Sequence, residues 1–331
     1  MSARTVLTFH AHDEQRREVA ETLAPFGGIA FLTDTGEDRA ARSAMLAAAE
    51  AVITWFPGQE LSPGDARDLS QARLIQLVTA GADGVDFAAL PRQARVAANV
   101  GAYADPMAEH VLAMALALAK RLRRNHDRMA EGIFDLAETL RLRGRTVGVL
   151  GYGGIGRACA RLFRPLGTRI YAINTSGRAD ETTDRAGTLA DLHDMLATAD
   201  IVVITLPLTR ATRGVIGARE LDLMKPDAIL VNVARGAIVD EDALFEHLKA
   251  HPDFCAGIDT WWDEPKPGQP FHPRLPFLSL QNVIGSPHNS GIVPGMTAVS
   301  TEAAAENVAA WFRGDHVRGI QDPADYAAVG T

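Results

Sequence analysis

The run Thr146-Val147-Gly148-Val149-Leu150 passes directly into Gly151-Tyr152-Gly153-Gly154-Ile155-Gly156, and an alanine-containing helical pattern follows at once. Glycine-rich turns are common and can be merely tight strand-to-helix connections, but one that ends a β-branched strand and opens a helix points to dinucleotide binding. Gly151 permits the tight turn, Gly153 lets backbone come close to a phosphate, and Gly156 allows the helix to pack hard against the strand. The first N–H groups of the helix, Gly154 and Ile155 among them, then point outward as donors for an anion. The context therefore predicts a parallel α/β sheet with a dinucleotide bound at the end of this strand.

Two series of such units run along the chain. Strand-like runs at Val6–Phe9, Ala51–Thr54 and Leu74–Leu77 alternate with helical patterns near 13–24 and 39–50. A second series continues from residue 146 through 170–173, 201–204, 229–232, 254–258 and 283–284. This alternation is the pattern of α/β domains with parallel sheets, and 331 residues are enough for two of them. A helix over Pro294–Phe312 is expected to return to the first domain, which divides the chain into a discontinuous domain, 1–100 with 290–331, and an inserted nucleotide domain, 101–289. Between the series, Asp105–Arg124 opens with an acid and Pro and closes in Lys-Arg-Leu-Arg-Arg, the charge order of one long helix. Its apolar residues go nearly all the way round, so it is expected to be buried at an interface, and a homodimer through this helix is the expectation.

Composition narrows the partners. A formal charge of −8 gives no basic surface for nucleic acid. The N-terminal residues show no apolar stretch of signal-peptide length, and Val111–Ala119 is too short to cross a bilayer, so no membrane association and a cytoplasmic location are expected. Two cysteines, Cys159 and Cys255, support neither a disulfide framework nor a zinc site; no metal is expected, and core packing suits both.

About twenty residues beyond the glycine turn, an acid ordinarily binds the ribose hydroxyls of NAD. Asn174-Thr175-Ser176-Gly177-Arg178 stands there instead. Loss of the carboxylate removes repulsion toward a 2′-phosphate, and the hydroxyls and guanidinium can bind one. The reading leans toward NADP, with NAD held through Asn174 as the alternative.

The segments Asp200–Thr209, Val231–Asp240, Asp259–Pro265 and Ser286–Gly291 follow in order, preceded by Thr79–Asp86 and Asn99–His110. Together, over roughly residues 75–315, they resemble the successive signatures of the D-isomer-specific 2-hydroxyacid dehydrogenase family, of the glyoxylate and hydroxypyruvate reductase kind. The resemblance implies two Rossmann-like parallel-sheet domains, the substrate domain flavodoxin-like and interrupted by the nucleotide domain, with the active site in the cleft between them. It implies that Arg235 grips the substrate carboxylate and carbonyl, that Glu264 and His288 are the acid–base pair, and that Gly81 and Ala82 offer amides to the carboxylate. It further implies that Ala234 and Asp259 lie at the nicotinamide amide and that Pro207 and Thr209 border the cofactor.

Elementary chemistry suits these residue types. A guanidinium makes two charge-assisted hydrogen bonds to the carboxylate of a small 2-oxo acid. Hydride arriving at C2 leaves charge on oxygen, which a histidine neutralises with a proton near neutrality, and an adjacent carboxylate stabilises the imidazolium and orients the ring. Formate dehydrogenases of the superfamily are similar but pair histidine with glutamine, so Glu264 disfavours that activity. Phosphite dehydrogenase and a dinucleotide-sensing, co-repressor-like protein are the alternatives. The first resembles the same pattern but with a lysine near Leu77, and the second brings extra tails that are not expected here. His110, His193, His247, His251, His272 and His316 lack a comparable setting and read as structural or surface residues. Trp261 and Trp262 depart from the family's usual single aromatic and suit either a wall of the active site or the core.

Overall fold

A computed structural model describes residues 3–326; the outermost parts of the expected first domain, residues 1–2 and 327–331, lie outside the described residues. The chain divides into two compact units, residues 1–103 with 293–331, and residues 104–292.

The first unit is a five-stranded sheet of β1 (Thr5–Leu7), β2 (Ile29–Phe31), β3 (Ala51–Thr54), β4 (Leu74–Leu77) and β5 (Arg95–Ala97), ordered β2-β1-β3-β4-β5. All pairings are parallel. Its central strands are apolar on both faces because both are covered, the usual condition of a parallel sheet. Leu7, Ile53 and Leu74 pack with Leu23 and Val308 of the helices Asp13–Leu23 and Met296–Arg313. Val6, Val52 and Ile75 pack on the other side with Leu46 of the helix Arg39–Ala48. Asp38 starts that helix by accepting from the Ala40 and Ala41 amides, which satisfies two otherwise unpaired donors.

Seven parallel strands form the second unit: β6 (Thr146–Leu150), β7 (Arg169–Ile173), β8 (Arg185–Gly187), β9 (Ile201–Ile204), β10 (Ile229–Asn232), β11 (Cys255–Ile258) and β12 (Val283–Gly285). Their order is β12-β11-β10-β9-β6-β7-β8. Chain direction across the sheet reverses between β6 and β9, so the crevice for a ligand opens at the carboxyl end of β6, where the glycine turn lies. The protein is thus an α/β protein with two Rossmann-like parallel sheets.

The expected helix Asp105–Arg124 is corrected. One helix spans Ala104–Ala119, Arg121 takes a left-handed backbone with φ of 48°, and a second helix spans Leu122–Ala130. Nothing in the propensities of Lys-Arg-Leu-Arg-Arg breaks a helix. Tertiary hydrogen bonds impose the break: Arg121 donates to Asp253 at 2.7 Å, and Arg123 donates to the carbonyls of Val283 and Leu278 at 2.7 and 2.9 Å. A left-handed residue costs roughly 1–2 kcal/mol, which the part-buried bond from charged Arg123 to the Val283 carbonyl, at about 1.5–3 kcal/mol, offsets; the exposed Arg121–Asp253 pair adds at most about 1 kcal/mol. The apolar face is also not left bare. Val111, Met114, Ala115 and Leu118 are buried in the core with Val147, Val203 and Val231 of their own unit's sheet. The exposed large apolar side chains of this region lie farther on, at Leu122, Met129, Phe134 and Leu136, the last 87% accessible.

Both cysteines are free, Cys159 buried and Cys255 half-buried. Burial pushes the Cys159 thiol up to about 12 and Cys255 up to about 11, which leaves both unreactive at neutral pH. Among the described residues no helix is long and apolar enough to cross a membrane, and no group of three or more His, Cys, Asp or Glu side chains forms a metal cluster.

Candidate active site

Steric detail gives each glycine of the turn its purpose. Gly151 has φ of +103°, and a Cβ there would stand 2.7 Å from the backbone of Thr205 and Leu206. At Gly156 a Cβ would stand 2.2 Å from the Gly151 carbonyl oxygen. At Gly153, by contrast, a Cβ would meet nothing within 4 Å, so this is where the turn opens outward. The helix Gly154–Phe163 begins immediately, presenting its first amides to that space. This combination of close packing behind and open space in front fits a pyrophosphate. Thr205, which the sequence reading missed, ties β9 to the turn by donating to the Gly151 carbonyl at 2.5 Å.

The segment after β7 is organised by Asn174. Its side-chain oxygen accepts from the Ser176 amide at 3.0 Å and the Ser176 hydroxyl at 2.9 Å, while its amide donates to the Arg178 carbonyl at 3.0 Å. Asn174 is therefore engaged in shaping the loop, and Thr175, Ser176 and Arg178 are left exposed on it. Pro207 and Thr209 follow β9, their loop closed by Thr212, whose hydroxyl donates to the Pro207 carbonyl at 2.7 Å and accepts from the Thr209 amide at 2.8 Å.

Arg235, Glu264 and His288 stand just beyond the carboxyl ends of β10, β11 and β12, three adjacent strands. Asn232 pairs with Ile258, and Ile258 with Gly285, so the strands end level and their following loops emerge side by side. His288 Nδ1 lies 2.7 Å from Glu264 Oε2, and Glu264 Oε1 accepts from the Trp261 amide at 2.9 Å. Burial alone would raise the Glu264 carboxyl. The hydrogen bonds from His288 and Trp261, with the charges of His288 and Arg235, outweigh it and hold the group below its ordinary value. Arg235 thus acts on the same carboxylate from β10. Its turn is fixed by Asn232, which accepts from the Ala234 amide and donates to the Arg235 carbonyl, and the guanidinium donates to the Ala234 carbonyl at 2.7 Å.

Both tryptophans serve the core. Trp262 stacks on Phe277 and donates to the Val239 carbonyl, while Trp261 packs on Phe271 and donates to the Ser286 carbonyl at 2.9 Å. They bind the loops carrying Arg235 and His288 to the loop carrying Glu264.

Asp259 and Ser286 brace the His288 turn, a role the sequence reading gave to neither. His288 has φ of 51°, a left-handed backbone. Its amide donates to the Asp259 carbonyl at 2.8 Å, and the Asp259 carboxylate accepts from Ser286 Oγ at 2.5 Å and from the amides of Asn289 and Ser290 at 3.1 and 3.2 Å. Asp259, expected at the nicotinamide, is fully buried with its oxygens engaged in this turn. Gly81 and Ala82 lie in the first unit, just past β4, where Thr79 donates to the Gly81 carbonyl at 2.8 Å.

The fold and these side chains define a doubly wound dinucleotide-binding protein with an arginine, a glutamate and a histidine grouped at one edge of its sheet. Residues 112–290 match the D-isomer specific 2-hydroxyacid dehydrogenase, NAD binding domain. The chain is 37% identical over 172 residues to a glyoxylate reductase of Thermococcus gammatolerans, covering 52% of this chain and 50% of that protein. It thus spans about half the length of that relative. To a glyoxylate reductase of Aeropyrum pernix it is 32% identical over 259 residues, covering 74% of this chain and 76% of the other. Among solved structures, a glycerate dehydrogenase related protein from Thermoplasma acidophilum superposes with a TM-score of 0.62 at 30% identity, covering 93% of this chain and 99% of that one. The chain belongs to the D-isomer specific 2-hydroxyacid dehydrogenase family.

Proposed function

We propose that this protein reversibly reduces a small 2-oxo acid to the D-2-hydroxy acid at the expense of NADPH or NADH, with glyoxylate or hydroxypyruvate as the favoured kind of substrate. The observation that carries the reading is the 2.7 Å pairing of His288 with a carboxylate that also feels the charge of Arg235. Arg235 binds the substrate carboxylate and polarises the neighbouring carbonyl. The dinucleotide supplies the hydride. As negative charge develops on the substrate oxygen, His288 donates the proton from Nε2, because Nδ1 is committed to Glu264. Glu264 holds the ring at that angle and stabilises its cationic form; a carboxyl kept below its ordinary value stays ionised to do so.

In this reading Gly151, Gly153, Gly154, Ile155 and Gly156 hold the pyrophosphate. Pro207 and Thr209 border the dinucleotide, Ala234 lies beside the nicotinamide, and Asp259 shapes that end through the turn it clamps. The loop ordered by Asn174 exposes Thr175, Ser176 and Arg178 to a 2′-phosphate, which favours NADP over NAD. Pairing of two copies, expected above through 105–124, is assigned to residues 122–136, where Leu122, Met129, Phe134 and Leu136 are exposed. The test is a panel of 2-oxo acids, from glyoxylate to bulky members, assayed with NADH and NADPH side by side. Turnover of the small acids supports the proposal. Tight NADPH binding without turnover of any member would refute it.

A further inference from the structure

His110, nearly two turns into the helix Ala104–Ala119, has its ring nitrogen Nε2 2.9 Å from Ser286 Oγ. The direction of that hydrogen bond follows from counting protons. Ser286 has one hydroxyl proton, and the 2.5 Å contact with Asp259 Oδ1, which also accepts from the Asn289 amide, takes it. The Ser286 oxygen must therefore accept from His110, which fixes Nε2 as the protonated nitrogen. The chain of donors runs His110 Nε2–H to Ser286 Oγ–H to Asp259, with Asp259 fully buried and His110 Nε2 itself 3.8 Å from the same carboxylate oxygen. Asp259 in turn accepts from the amides of Asn289 and Ser290, and its carbonyl accepts from the His288 amide.

The backbone at His288 is the reason such a clamp is needed. A histidine at φ of 51° persists only where surrounding bonds over-determine it, and these bonds converge on one buried aspartate. Relaxation of the turn would swing the imidazole away from Glu264. Ser286 cannot hold Asp259 alone in one orientation, because its hydroxyl rotates; a second bond at the same oxygen fixes the rotor.

We infer that His110 is a positioning residue: through Ser286 and Asp259 it locks the left-handed turn that presents His288 to the substrate. The inference rests on the acid–base role proposed for His288, and its test separates failure of either. In the full-length protein, His110→Leu removes the N–H donor, whereas His110→Gln keeps an amide N–H at nearly the position of Nε2. With the best 2-oxo acid of the panel, His110→Leu should lower kcat on the order of tenfold or more. KM for the acid should stay within about twofold, because Arg235, which binds it, is not moved. His110→Gln should restore most of the lost kcat. Ser286→Ala cuts the same chain one link on, and the double variant His110→Leu with Ser286→Ala should be no worse than either single change.

A readout independent of turnover is the 15N spectrum of the imidazoles. It should show His110 with its proton on Nε2 in the wild type, and the His288 resonances displaced in His110→Leu but not in His110→Gln. The inference is overturned if kcat survives His110→Leu, if His110→Gln is as impaired as His110→Leu, if the losses of the two single variants add, or if the His288 resonances do not move. A wild-type protein that turns over no 2-oxo acid, while His110→Leu still displaces the His288 signals, would overturn the proposed reaction and leave the clamp standing.

Discussion

Gly236 sits where the backbone of the Arg235 turn meets the backbone of the segment carrying Trp261 and Trp262, and replacing it with alanine tests whether that meeting sets the site. A Cβ at 236 would lie 2.4 Å from the Trp261 carbonyl carbon, 2.6 Å from its oxygen and 2.7 Å from the Trp262 nitrogen. Carbon atoms pack best at about 3.5–4.0 Å, so the two backbones must separate by roughly 1 Å. Neither has a flexible end to yield: Trp261 and Trp262 are pinned by indole hydrogen bonds to the Ser286 and Val239 carbonyls. Overpacking of this kind costs about 1–3 kcal/mol. For a unit of this size each kcal/mol lowers Tm by about 2–4 °C, which gives a fall on the order of 2–12 °C by calorimetry. Arg235 precedes the glycine and Glu264 follows the tryptophans, so the same 1 Å opens the distance between them. A displacement of that size costs about a hundredfold in rate, and kcat/KM for the 2-oxo acid should fall accordingly while NADPH still binds. A Gly236→Ala protein with unchanged Tm and unchanged kcat/KM would refute the argument.

The same substitution at Gly153 should do the opposite, since a Cβ there meets no protein atom within 4 Å: Tm stays put, and dinucleotide affinity measured by fluorescence titration drops as the methyl occupies space the pyrophosphate requires. Removing the imidazole in His288→Ala should lower kcat by a hundredfold or more, and Glu264→Gln should lower kcat with little change in KM. Arg178→Ala should raise KM for NADPH by about tenfold or more, as expected for loss of a charge-assisted hydrogen bond, with NADH unaffected; equal changes for both would remove the case for NADP. Asp200 is buried and held below its ordinary value: burial would raise it, but Lys225, the Thr146 amide and Arg145 outweigh that. Its contribution to stability is therefore present above the unfolded carboxylate value and lost as pH falls through the lower folded value. Asp200→Asn should make Tm less dependent on pH across that acidic window. Light scattering should report a dimer that Phe134→Ser with Leu136→Ser converts to monomer; a wild-type monomer would exclude that interface.

The long strands and the sites at their ends were legible because their signals are local. Ile201–Ile204 and residues 229–231 are continuous β-branched or apolar runs, as a sheet covered on both faces requires, and the glycine turn carries its stereochemistry in three residues. The short edge strands β2, β5 and β8 left no such mark: three residues, partly open to solvent, carry too little pattern to separate them from loops. The break at Arg121 was hidden for a different reason, since its causes are carbonyls of Val283 and Leu278 and the carboxylate of Asp253, more than a hundred residues away.

The candidate site divides along the same line. Arg235, Glu264 and His288 follow three strands in sequence, and the ordered motifs around them, more than their residue types, marked them as candidates. That β10, β11 and β12 lie side by side and end level, so that the loops carrying the three residues emerge together, is a matter of strand order and register. His110 read as an ordinary histidine because 176 residues separate it from Ser286. Local chemistry is written in the order of residues along the chain; which donors find which acceptors depends on distances that exist only once the sheet has closed around them.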